Sequence, residues 1–99
     1  MIEIHLDTTE KVLTVRGHAA RPEGVEPGQN IVCAAVSALV LTLIGGLEDI
    51  AESRISYEVA DGYVTIRWEA LSDIGDALIS TWFLGVLRIR EEYGEIKII

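Results

Sequence analysis

With a single cysteine in 99 residues, the chain cannot form an intrachain disulfide, and nothing in it calls for an oxidising compartment. Basic residues are scarce as well: 8 Lys and Arg against 16 Asp and Glu leave a formal net charge of -8. A nucleic-acid binder needs a basic stripe to displace counterions from phosphates, so that class of partner is not expected. An acidic surface would steer a basic polypeptide inward, although solubility is the plainer reason for it. One cysteine and two histidines, with no metal-ligand spacing, do not make a zinc site. The glycines fall into neither the G-x-G-x-x-G nor the Walker A order. No cofactor and no metal are therefore expected.

A basic start followed by an apolar run is missing too. MIEIHLDTTE carries two acids within its first seven residues and alternates like a strand, so it does not read as a signal peptide. One uncharged stretch, Ile31 to Leu47, calls for a membrane check. A spanning helix needs about 20 apolar residues. This run is shorter, meets Gly45-Gly46, and is followed by Glu48 and Asp49 rather than by Lys or Arg. A core helix is the expectation, in a protein of the cytoplasm without a membrane partner.

What is present is an ordinary globular composition, 49% hydrophobic and 24% charged, of a length that holds one domain over residues 1–99. Ile2, Ile4 and Leu6 alternate with Glu3, His5 and Asp7, the period of a half-buried strand, with His5 on the solvated face. Lys11 to Gly17 reads as a second strand and completes a hairpin. From Ala19 to Gln29 the pattern vanishes, and Pro22, Gly24, Pro27 and Gly28 mark a loop. Eleven residues is long for a connection in a compact domain, and loops of that length often serve as lids or binding loops.

Asn30 is a good N-cap for a helix from Ile31 to Ile44, in which only Ser37 and Thr42 are polar. A helix apolar all round is a buried helix. Gly45-Gly46 could end it, or Leu47 to Ala51 could add a final turn. Ile55 to Ala60 and Tyr63 to Glu69 flank Asp61-Gly62, the signal for a type I′ hairpin turn. Ser72 caps a second helix, Asp73 to Tyr93; Gly94 stops it, and Ile96 to Ile99 forms a last strand. The order ββαββαβ predicts an α+β domain, two helices against a mostly antiparallel sheet, one helix largely buried.

A lone cysteine in an apolar helix is usually a small buried hydrophobe. Two features set Cys33 apart. It is the third helical residue, in a first turn where unpaired N–H groups and the helix dipole favour thiolates. The long loop also leads straight into it. His18, in Gly17-His18-Ala19, stands where the second strand meets that loop. A loop that folds back could bring its imidazole to the sulfur and form a thiolate–imidazolium pair. The plainer reading of His18 is a surface histidine. Ser37, one turn after Cys33, could support the site or bond a backbone carbonyl.

The combination of Gly17-His18-Ala19, a glycine-containing loop and Ile31-Val32-Cys33-Ala34-Ala35-Val36-Ser37-Ala38-Leu39 resembles the ribosomal-processing cysteine protease (Prp) family. The likeness continues through Gly46-Leu47-Glu48 and Trp82-Phe83-Leu84-Gly85-Val86-Leu87 to Tyr93 and Ile96-Lys97-Ile98. It implies a cysteine endopeptidase with a Cys33/His18 dyad and a loop, with Gly24 and Gly28, that moves to admit substrate. It implies a homodimer that removes a short N-terminal extension from a bacterial large-subunit ribosomal protein, after a phenylalanine in a hydrophobic motif. Relatives encoded by phages suggest capsid or scaffold processing instead, and a relative without activity would be a dimeric peptide-binding module. One residue departs from the family pattern: Asn30 stands where an aspartate is usual. Asn caps a helix equally well but carries no charge to offer an imidazolium, and papain-like proteases use Asn to orient their histidine.

Overall fold

The computed structural model describes residues 1–18 and 30–99. The elements follow the expected order: β1 (Ile2–Asp7), β2 (Val12–Gly17), α1 (Ile31–Gly45), a π turn (Gly46–Ile50), β3 (Ile55–Ala60), β4 (Tyr63–Trp68), α2 (Asp73–Tyr93) and β5 (Ile96–Ile98). The five strands form one sheet in the order β3-β4-β2-β1-β5. β1, β2, β4 and β3 pair antiparallel, and β5 lies parallel to β1. The fold is α+β, with both helices on one face of this sheet.

Register explains which face is covered. Ile4 pairs with Val15, and Leu6 with Leu13; Leu13 in turn pairs with Ile66, and Val15 with Val64. Cross-strand partners share a face, so these apolar residues make one surface, and Ile4, Leu13 and Ile66 are fully buried in it. Val32, Val36, Val40, Leu43 and Leu47 from α1 and the π turn, with Ile79, Trp82 and Val86 from α2, complete the core. A one-residue slip of β1 would turn Ile2 and Ile4 to water, at about 1.5–3 kcal/mol for each side chain. The opposite face is polar: Arg16 pairs with Glu3 in register and meets it at 3.4 Å, a half-exposed contact of small energetic weight.

Local chemistry sets the ends. Asp7 Oδ1 accepts from the N–H groups of Thr9 and Glu10, each at 3.0 Å, and turns the chain between β1 and β2. Ser72 caps α2 by accepting from Gly75 N–H at 3.2 Å, and Gly94, at φ 70°, stops it with an N–H bond of 2.8 Å to Arg90 O. Asp61-Gly62 closes the β3–β4 hairpin as expected, but not as a type I′ turn. That turn needs positive φ at both residues, and of the two only Gly62, at φ 72°, has it.

Helix α1 differs from the expectation of a largely buried helix. Its sheet-facing side is buried, but Ile31 and Leu41 are 60% and 62% exposed, and Ala34 and Ala38 are exposed beside them. The sheet and α2 cover only one side of α1, so an all-apolar helix keeps an apolar outer face. Gly45-Gly46 does not end the helix: the chain runs on through the π turn, so that Ile31–Ile50 makes twenty residues. By length and composition alone this stretch could cross a membrane.

Candidate active site

Strand β2 ends at the mouth of a cleft between the sheet and α1. Gly17 takes φ 95°, and a Cβ there would run into the Met1 carbonyl, so the close approach of β1 to β2 requires glycine. Its N–H donates to Gly62 O at 2.8 Å. His18 follows directly, and its carbonyl accepts from the Met1 amine at 2.6 Å. The imidazole is exposed and lies against Gly62 in the β3–β4 turn.

From the other side comes the N-terminus of α1. Asn30 is buried, 8% exposed, and its Oδ1 accepts from Val32 N–H at 2.9 Å and from Cys33 N–H at 3.1 Å. The cap therefore engages the N–H of Cys33 itself, so this donor is shared with Asn30 rather than left open to the sulfur or to substrate. Cys33 is half-buried on the first turn. Together these elements enclose a cleft of about 670 Å³, lined by His18, Asn30, Cys33 and Ser37 and walled by Val15, Val36, Val40, Val59 and Val64.

The structure thus gathers Cys33, His18, Asn30 and Ser37 around one cavity. Gly24 and Gly28, and with them the expected mobile loop from Ala19 to Gln29, lie outside the described residues. Ser37 lines the cleft from an exposed position. Within α1 a hydroxyl back-bond of this kind is made by Thr42, which donates to its own i−4 carbonyl, Ala38 O, at 2.7 Å. Sequence reasoning missed Asp61, Gly62 and Tyr63, which also line the cleft. The hairpin turn was visible in the sequence, but its place beside His18 depends on the β2–β4 pairing, Arg16 opposite Tyr63. No group of three His, Cys, Asp or Glu side chains suited to a metal ion stands together among the described residues.

Comparison with solved structures finds the same fold elsewhere. The ribosomal processing protease Prp from S. aureus, in complex with a covalently linked product peptide, superposes with a TM-score of 0.80 at 24% identity, covering 98% of this chain and 94% of that one. The same protease with a substrate peptide gives 0.71 at 23% identity over 99% and 95% of the two chains. SMU.848 from Streptococcus mutans gives 0.72 at 27% identity over 99% and 91%. No curated protein matches the sequence. Among family models, that of the cysteine protease Prp, Peptidase_Prp, matches residues 1–97, and the chain accordingly belongs to this family of cysteine proteases.

Proposed function

We propose that Cys33 and His18 form the catalytic dyad of a processing endopeptidase that removes the N-terminal extension of a bacterial large-subunit ribosomal protein. The observation that carries this reading is that the chain's one cysteine and His18 line a single cleft, although fourteen residues separate them in sequence. The Cys33 thiolate attacks the scissile carbonyl; His18, as imidazolium, gives its proton to the departing amine and leaves a thioester on Sγ. Water then attacks the thioester while neutral His18 takes one of its protons; the thiolate departs, the acid product gives its remaining proton to solvent as a carboxylate, and the thiolate–imidazolium pair is restored. Asn30 holds the start of α1 and so fixes the backbone that carries Sγ.

The valine walls suit a hydrophobic segment around the cleaved bond. The net charge of -8 suits a strongly basic protein as its owner, because opposite charge speeds encounter. The same reading proposes the cytoplasm as the compartment in which enzyme and substrate meet. The apolar outer face of α1 is the basis for a homodimer. The test is to incubate wild type and Cys33→Ala with a ribosomal protein carrying its extension and to follow its mass. Wild type trims the extension after the hydrophobic motif and the alanine variant, still folded, does not; trimming by Cys33→Ala would dismiss the cysteine as nucleophile.

A further inference from the structure

We propose that Gly62 is a positioning residue: the β3–β4 turn is the platform against which the His18 ring is set, and only glycine leaves room for that ring. The inference rests on His18 being the dyad base. A Cβ at position 62 would stand 2.6 Å from His18 Nε2, 3.2 Å from Cε1 and 3.3 Å from Cδ2. Real Cβ atoms do not approach a ring so closely, so any side chain at 62 displaces the imidazole. The same residue holds the backbone under the ring, because Gly17 N–H donates to Gly62 O at 2.8 Å. One residue therefore fixes both the strand end that carries His18 and the space its ring occupies. Its φ of 72° is the second reason for glycine, and a separable one. Asparagine tolerates this left-handed conformation but, like alanine, brings a Cβ.

That difference supplies the test. In the full chain, Gly62→Ala and Gly62→Asn are compared with wild type for thermal midpoint, kcat/KM on a cleavable peptide and the rate of Cys33 alkylation by iodoacetamide at pH 7. If glycine is needed only for its φ, Gly62→Asn keeps both folding and rate. If the turn positions His18, Gly62→Asn folds with a midpoint near wild type yet loses about tenfold or more in kcat/KM and alkylates more slowly, since a displacement of about 1 Å can cost ~10²-fold. A Gly62→Asn enzyme within about twofold of wild type overturns the proposal. An NMR experiment on the wild type reads the contact independently of catalysis and of whether the variants fold. A nuclear Overhauser effect between the His18 ring protons and the Gly62 Hα protons is expected, and its absence overturns the platform. If His18→Ala retained full activity, the dyad would fall, while this contact would still report whether the turn seats the ring.

Discussion

The proposed dyad gives His18 and Asn30, which line the cleft with Cys33, different tasks, and single substitutions separate them. The His18 imidazole is exposed and adds little to folding, so His18→Ala keeps its thermal midpoint. On the proposed dyad its loss removes the proton donor for the leaving amine, and kcat/KM is expected to fall by about 10²–10⁴. Alkylation of Cys33 slows in parallel; an unchanged alkylation rate would leave the helix terminus alone to activate the thiol. Asn30 behaves in the opposite way. Its buried Oδ1 serves two N–H groups of the first turn, so Asn30→Ala costs about 1 kcal/mol in urea unfolding. Asn30→Asp keeps the acceptor and puts a carboxylate at the positive end of α1, so its stability stays within about 0.5 kcal/mol of wild type. A large loss in the aspartate variant would show that the fold needs the Asn30 amide nitrogen as well as its oxygen.

Strands and helices were readable from the sequence because each carries its period and its punctuation. Ile2, Ile4 and Leu6 announce β1, and Ser72 and Gly94 bracket α2 at the residues where the structure starts and stops it. What period and punctuation do not carry is pairing between distant elements. The parallel addition of β5 beside β1, and the docking of the Asp61-Gly62 turn on His18, follow from sheet order, which no local pattern encodes. For the same reason Cys33 and His18 stood out by type and position, while Gly62 and Asp61 did not. Helix α1 misled because an apolar stretch reports what avoids water, not what covers it. β4 holds a cost of a different kind. Thr65 is buried on the polar face of the sheet, and its Oγ1 has no hydrogen-bond partner among the described residues. Valine has nearly the same shape, is at home in a strand and brings no hydroxyl to desolvate. Thr65→Val is expected to raise the unfolding free energy by about 0.5–1 kcal/mol, read from the urea midpoint at constant m-value. A drop would reveal a partner for the hydroxyl.

The whole molecule exposes more organised apolar surface than its small core explains. Ile31 and Leu41 of α1 and Tyr57 and Val59 of β3 are each 46% or more exposed, Leu41 and Val59 where they line the cleft. Tyr57 and Val59 pair with Ile66 and Val64, so they sit on the helix side of the sheet, where β3 overhangs the helical layer. Scattered exposed leucines need no explanation, but the uncharged helix face of Ile31, Ala34 and Ala38, outside the cleft lining, is the surface on which the proposed homodimer rests. A second copy is the occupant that fits the proposed homodimer. A standard interface takes about 800 Å² from each partner, roughly an eighth of the 6235 Å² this chain exposes. Ala38 is the place to test it, being exposed on that face, outside the cleft lining and in a helix that glutamate tolerates. In sedimentation equilibrium the wild type is expected at twice the chain mass and Ala38→Glu at the chain mass, since two carboxylates would have to be buried face to face. The melting temperature of the wild type should rise with protein concentration, and that of the variant should not. A monomeric wild type at micromolar concentration would end the dimer reading. It would also leave the apolar face of α1 to be covered by something other than a second copy.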